Sequence, residues 1–254
     1  MTSSKILASA ITAGLLSLGV SSAALSAPLK CVVLVHGAFV DGSGWKPVSD
    51  ILSKEGYDVA VVQQPLTSFA DDVAATKRTL ALQQGPCVLV AHSYGGAIIT
   101  EAGNDPKVAG LVYVAAHALD EGETEAGNGK RMPPAYTSLV KTPDGFTYIE
   151  PGHFHADFAA DLPAAEADFE AHSQMLTAAA VFTTPAGSPA WKVKPSWYVV
   201  ATEDRIINPD LERMYAKRAG SHTIEIEGAS HSVYETHPKE VAALIEEAAR
   251  QAGD

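Results

Sequence analysis

Five strand-length aliphatic runs constrain this chain more than any other feature: CVVLVHG from Cys31, DVAVVQ from Asp58, CVLVAHS from Cys87, VAGLVYVAA from Val108 and SWYVVAT from Ser196. A strand with one wet face alternates apolar and polar residues. These runs are apolar on both faces, as parallel strands must be when helices cover them from each side. A weaker, alternating run, HTIEIEG from His222, brings the expected sheet to six strands. Helix-length segments separate the early runs: Trp45 to Lys54, ended by Gly56; Ser68 to Leu82, with Ser68 placed to cap; and Gly95 to Gly103. The alternation of strand and helix predicts an α/β fold, with a mostly parallel sheet, flanking helices and right-handed crossovers.

The alternation stops after VYVAAHALDEGE. From about Leu119 to Val193 the chain turns to Gly, Pro, Ala and acidic residues, with one helical stretch from Pro163 to Phe182. A segment this size is too small for a good core of its own, so it reads as a helical lid inserted over one edge of the sheet.

The first residues stand apart. Lys5 precedes an uncharged, largely apolar run from Ile6 to Val20, and small residues from Ser21 to Ala27 lead into Pro28. This is the pattern of a secretory signal peptide over residues 1–26, with cleavage between Ala24 and Ala27, and it predicts a secreted or periplasmic mature domain over 27–254. In the mature chain no run approaches the roughly 18 apolar residues of a membrane span. A formal net charge of −12 without clustered Lys or Arg argues against nucleic acid as a partner. Cys31 stands six positions before Gly37, and Cys87 six before Ser93. Parallel neighbouring strands in register would bring the two within disulfide reach; the other reading is a pair of buried thiols.

The stretch AHSYGG, from Ala91 to Gly96, interrupts a buried strand with a serine and two glycines. Ligands of doubly wound sheets bind at the carboxyl ends of strands, and a tight strand-to-helix turn there lifts the Ser93 hydroxyl clear of the backbone. The usual form of such an elbow is G-x-S-x-G, and Ala91 is a small departure from it. The plainer alternative is a helix N-terminus capped by Ser93.

Serine is a poor nucleophile until a histidine accepts its proton and a carboxylate orients that histidine. The expected chain order is Ser, then Asp or Glu, then His, each in a loop after a later strand. Asp204 follows SWYVVAT and His231 follows HTIEIEG, with Glu203 the fallback for Asp204. The joint occurrence in this order predicts a Ser93–His231–Asp204 triad. An acyl-transfer oxyanion needs two donors. Tyr94 N–H supplies one, and the VHGAFVDGSGW turn after the first strand offers Ala38 N–H, or else that of Phe39.

The other histidines carry less. His36 and His92 read as packing and hydrogen-bonding residues. His153 and His155 lie two apart but lack a third ligand at metal spacing, so no metal is expected. Phe39, His117 and Phe154, with Tyr136 and Phe182 from the insertion, are the candidate pocket residues.

Together VLVHGAFVDGSGW, AHSYGG, ATEDRIINP and GASHSVY resemble the α/β-hydrolase superfamily, in its compact branch of methyl esterases, hydroxynitrile lyases and bacterial esterases. The resemblance spans essentially the whole mature chain. It implies the α/β-hydrolase fold without the antiparallel N-terminal hairpin of larger relatives. It implies Ser93 as nucleophile, His231 as base, Asp204 as orienting acid, Ala38 and Tyr94 as oxyanion donors, and no cofactor. Lyases of the branch carry Thr at the position of Gly37 and Lys at that of Ser232, so both positions favour hydrolysis here. The expected function is cleavage of small-molecule carboxylic esters through an acyl-serine, with activity falling on acidification because the base must be neutral. The alternatives are a cofactor-free lyase on the same triad or a non-catalytic binder. The substrate's acyl and alcohol parts and the oligomeric state stay open.

Overall fold

The computed structural model describes residues 1–2 and 29–253, so the expected signal peptide lies outside the described residues. The chain opens with β1 (Cys31–Val35), α1 (Lys46–Lys54), β2 (Asp58–Val62), α2 (Phe69–Ala81), β3 (Cys87–Ser93), α3 (Gly95–Ala102) and β4 (Val108–Ala116). The insertion carries α4 (Glu125–Arg131), β5 (Leu139–Lys141), β6 (Phe146–Ile149), α5 (Pro151–Phe158), α6 (Ala164–Ser173) and β7 (Thr177–Ala178). The chain then returns to the sheet through β8 (Ser196–Ala201), α7 (Pro209–Ala219), β9 (His222–Ile226), α8 (Val233–Thr236) and α9 (Pro238–Gln251).

The main sheet has six parallel strands in the order β2-β1-β3-β4-β8-β9. Every residue of β1, β3 and β8 is buried, which accounts for their unbroken apolar sequence. The alternating HTIEIEG run forms β9, an edge strand exposed at His222, Thr223 and Glu225. Two apolar clusters lie on opposite faces. Trp45, Leu52, Trp197 and Ile245 belong to the one shared with α1 and α9, and Phe69, Ile98, Tyr113 and Tyr215 to the one shared with α2, α3 and α7. Local signals set the helix ends. Ser68 accepts the Asp71 N–H, acidic Asp71 and Asp72 occupy the first turn of α2, and Arg78 its last. Cys31 and Cys87 are direct register partners, with Cα atoms 4.5 Å apart, and are joined by a disulfide.

The insertion departs from expectation in two ways. The single helix expected over Pro163 to Phe182 ends at Ser173. Gln174 turns out of it, accepting the Ile149 N–H and donating to the Ile149 carbonyl, and Met175 N–H then bonds Phe39 O. The chain is extended only through Thr177–Ala178, and the Ala-rich stretch that follows forms a short 3-10 helix over Ala179–Thr183 rather than continuing α6. The insertion also contains strands: β5, β6 and β7 form a small antiparallel sheet.

The insertion is tied to the loops at the carboxyl edge of the main sheet. Ala135 and Tyr136 N–H groups donate to Arg205 O, Arg205 Nε reaches Asp157 at 3.0 Å, and Ser232 N–H donates to Phe158 O. Its α5 therefore packs directly on the loop that carries His231.

Candidate active site

β3 ends at Ser93 with φ 54°, a left-handed conformation that costs a non-glycine residue about 1–2 kcal/mol. Strain of this kind persists only where packing over-determines it, and two glycines make that packing possible. A Cβ on Gly95 would stand 2.5 Å from His36 O, and one on Gly37 would stand 2.7 Å from Ser93 Cβ. The elbow is therefore wedged against the end of β1. Tyr94 is held from outside, since its hydroxyl donates to Asp72 Oδ2 at 2.7 Å while Asp72 Oδ1 accepts the Leu66 N–H at 2.9 Å. No local pattern in the chain singles out Asp72 for this role, because its partner lies 22 residues away.

Three residues far apart in sequence meet at this edge. His231 Nε2 lies 2.8 Å from Ser93 Oγ, and His231 Nδ1 lies 2.5 Å from Asp204 Oδ2. The carboxylate can only accept, so Nδ1 carries the proton and Nε2 is left to accept from the Ser93 hydroxyl. Asp204 is aimed by its second oxygen, which accepts the N–H groups of Ile206 at 2.7 Å and Ile207 at 2.9 Å. Glu203, the fallback, is exposed and does not contact His231.

The His231 ring is clamped edge-on by Phe158, with centroids 4.7 Å apart, and lies 4.5 Å from the His92 ring. His92 Nε2–H donates to His231 O at 2.9 Å, which anchors the loop backbone. Burial first, and the neighbouring His231 second, hold the His92 imidazole well below its ordinary range, so it stays neutral. His36 is likewise pushed down by burial; its Nδ1–H donates to Gly37 O and its Nε2 accepts the Gln64 N–H. Both histidines are positioning groups for the turns beside them.

Sequence reasoning missed Glu212. It is fully buried on α7, accepts the Ala201 N–H at 3.1 Å, and leaves Oε1 without an ordinary donor. Burial first, and the adjacent Asp204 charge second, push its carboxyl well above the usual range. Its only sequence signal is an acidic residue on the apolar face of a helix.

Of the two candidates for the second oxyanion donor, the structure removes one. Phe39 N–H already donates to Thr177 Oγ1 at 3.1 Å. The N–H groups of Ala38 and Tyr94 have no partner among the described residues.

A cavity of about 270 Å³ opens beside Ser93, walled by Ala38, Phe39, His117, Tyr136 and Phe182 among others. Phe154 is not at this wall. It faces inward from α5, fully buried and stacked on Phe158 with centroids 4.8 Å apart, so its part is to back the ring that clamps His231. His153 and His155 have separate partners, Glu150 at 3.1 Å and Leu162 O at 3.0 Å. Among the described residues no His, Cys, Asp and Glu side chains converge as metal ligands would.

Known proteins share this architecture. A pyrethroid hydrolase of Sphingobium wenxiniae is 26% identical over 255 residues, covering 84% of this chain and 85% of that protein. The structure of a pyrethroid hydrolase from Sphingobium faniae superposes with a TM-score of 0.71 at 21% identity, covering 88% of this chain and 98% of that one. Polyneuridine aldehyde esterase superposes with a TM-score of 0.73 at 17% identity, covering 86% and 98%. These two likenesses show a shared fold. Residues 32–244 match the alpha/beta hydrolase family, and the chain belongs to that family.

Proposed function

We propose that this protein is a serine esterase that cleaves small-molecule carboxylic esters through an acyl-serine intermediate. The observation that carries the reading is the Asp204–His231–Ser93 relay, with contacts of 2.5 and 2.8 Å, opening on a cavity beside two unpartnered backbone N–H groups. The pyrethroid hydrolase and esterase neighbours support ester substrates.

In the first half-reaction Ser93 Oγ attacks the ester carbonyl carbon as its proton passes to His231 Nε2. The carbonyl electron pair moves onto oxygen, and the oxyanion accepts hydrogen bonds from Ala38 and Tyr94 N–H. Collapse re-forms the carbonyl and breaks the bond to the alcohol oxygen, which takes the proton from His231. Water then repeats the sequence on the acyl-serine, releasing the acid. Asp204 stays ionised and stabilises the imidazolium.

A lyase on the same relay would form no acyl-serine. Gly37 speaks for hydrolysis, since a Cβ there would crowd Ser93 Cβ at 2.7 Å. Ser232, buried and bonded through its N–H to Phe158 O, places no ammonium in the site.

The test is a panel of aryl esters of increasing acyl length, run beside Ser93→Ala, with mass spectrometry of the quenched enzyme. Turnover that vanishes in Ser93→Ala, with an acyl mass on Ser93, supports the reading. Turnover without a covalent adduct would favour the lyase, and no turnover above Ser93→Ala would leave a binder. The proposal includes export of a mature chain starting near residue 27, in keeping with a disulfide between Cys31 and Cys87. Fractionation of expressing cells tests it, since a cytoplasmic, full-length product would exclude it.

A further inference from the structure

The cavity beside Ser93 is walled mostly by apolar side chains, and the few polar groups in such a wall fix which substrate fits and how it lies. His117 is one of them. It follows β4 directly, and its N–H donates to Ser93 O at 3.1 Å, so the backbone that carries it is tied to the elbow. The imidazole is only 12% exposed, and its two nitrogens differ. Nδ1 faces the Tyr215 hydroxyl at 3.2 Å. Nε2 has no hydrogen-bond partner among the described residues yet, unlike His92 Nδ1, is not sealed off by protein, and it opens on the cavity. Glu125 Oε2 stands 3.4 Å from it without forming a hydrogen bond.

The hydrogen bonds behind the ring decide which nitrogen carries the proton. Asn128 Oδ1 accepts from the Arg131 guanidinium, and its Nδ2 donates to Glu123 Oε2 at 3.0 Å, so charged neighbours on both sides fix the orientation of the amide. The same Nδ2 donates to the Tyr215 hydroxyl at 2.8 Å. Tyr215 is fully buried, and among the described residues the acceptor left for its own proton is His117 Nδ1. A ring proton on Nδ1 would leave that buried hydroxyl hydrogen unmet, which folded proteins avoid. The imidazole therefore carries its proton on Nε2. Burial first, and the neighbouring His231 second, push the ring down to about 3, so it takes up no second proton at neutral pH.

The geometry points to His117 as a specificity-determining residue whose Nε2–H donates to an uncharged oxygen on the non-reacting part of the substrate. An anionic oxygen would meet the Glu125 carboxyl 3.4 Å from the same nitrogen, so the group that fits is neutral. The substrate class is then an ester that carries, beyond its scissile group, an ether or carbonyl oxygen. This rests on the reading of Ser93 as the nucleophile of an esterase. A substrate lacking the oxygen leaves the donor unmet, and sites built to bond an oxygen discriminate against such analogues. Asn208, also at the wall, is already engaged, since its Oδ1 accepts the Asp210 N–H and its Nδ2 donates to Pro133 O. The Tyr136 hydroxyl at the wall has no partner among the described residues, and the test separates it from His117.

The test uses ester pairs that differ only by an ether oxygen in place of one methylene. The oxygen is scanned along the acyl chain of p-nitrophenyl esters in one series and along the alcohol of acetate esters in the other. For the wild type, one position should raise kcat/KM over the methylene partner by roughly tenfold, the size of one hydrogen bond met or missed. In His117→Leu the ratio should fall to about one. His117→Gln, whose amide donates from nearly the same place, should keep part of it, and Tyr136→Phe should leave it intact. Tyr215→Phe frees Nδ1 to take the ring proton without altering the cavity wall, so it should lower the ratio. The ratio does not depend on a variant's absolute rate, and a merely structural role would move both members of a pair alike. The same pairs are titrated by calorimetry into Ser93→Ala and Ser93→Ala/His117→Leu, which reads the preference without turnover. Equal rates and equal binding at every position would overturn the assignment, as would a preference that survives His117→Leu or is untouched by Tyr215→Phe. A binding preference lost in His117→Leu, with no turnover by the wild type, would uphold it and refute the esterase reading alone.

Discussion

One carboxylate oxygen of Asp204 stands 2.5 Å from His231 Nδ1, while the other holds the N–H groups of Ile206 and Ile207. Asp204→Asn keeps the shape but replaces an acceptor-only group with one that can donate, so the imidazole loses the tautomer that leaves Nε2 free. The expected result is a fall in kcat of about 10⁴-fold, the size that this change produces in Ser-His-Asp triads, with KM little altered. Steady-state kinetics on an aryl ester checks it, and a loss below tenfold would contradict the relay.

Gly37 and Ser93 are packed as closely as backbone allows. The Cβ of Gly37→Ala would stand 2.7 Å from Ser93 Cβ and 3.0 Å from His92 Nδ1, so the elbow must shift. A displacement near 1 Å costs about 10²-fold in rate. The variant should fold, with overpacking costing about 1–3 kcal/mol in a urea titration, and should lose kcat rather than gain lyase activity.

The Cys31–Cys87 bridge joins the first residues of β1 and β3, at the opposite end of the sheet from Ser93. It spans a sequence separation of 56, a loop for which chain entropy alone gives about 4 kcal/mol. Cys31→Ser/Cys87→Ser should therefore be less stable by about 2–4 kcal/mol in urea at 25 °C. The kcat of the folded fraction should not change, because no active-site residue touches the bridge.

Glu235 on α8 faces Glu170 on α6 across the junction between the main domain and the insertion. Burial first, and the Glu170 charge second, push Glu235 up to about 9, and burial raises Glu170 as well. An acid whose folded pKa is raised keeps its proton in the native state after the unfolded chain has lost it, so stability is lost as pH rises. The window runs from the ordinary glutamate value, 4.5, to about 9. Within it one such group contributes a slope of about 1.4 kcal/mol per pH unit. Urea midpoints at pH 5 and pH 8 should differ less for Glu235→Gln than for the wild type, and an unchanged difference would refute the assignment.

Much of this was legible in the chain. The both-faces-apolar runs became the parallel strands, since burial under helices on each side is a requirement on composition that a short segment satisfies by itself. Ser93, Asp204 and His231 were legible because each follows a recognisable strand, and strand ends are where a doubly wound sheet places its loops. The end of α6, the small sheet of the insertion and the inward position of Phe154 were not legible. The end of α6 depends on a partner distant in sequence, Ile149 for Gln174, and the inward position of Phe154 on which face of α5 the fold buries.

The sequence by itself determined the strands of the main sheet, the elbow and the order of the relay, because these follow from short-range hydrophobic period and turn chemistry. Only the tertiary structure decided that Ala38 and not Phe39 keeps a free N–H, because the acceptor that captures Phe39 is Thr177, 138 residues away. It alone decided that burial pushes the Glu125 and Glu212 carboxyls up, because a carboxyl's charge answers to the water and dipoles around it, and folding removes the one and arranges the other.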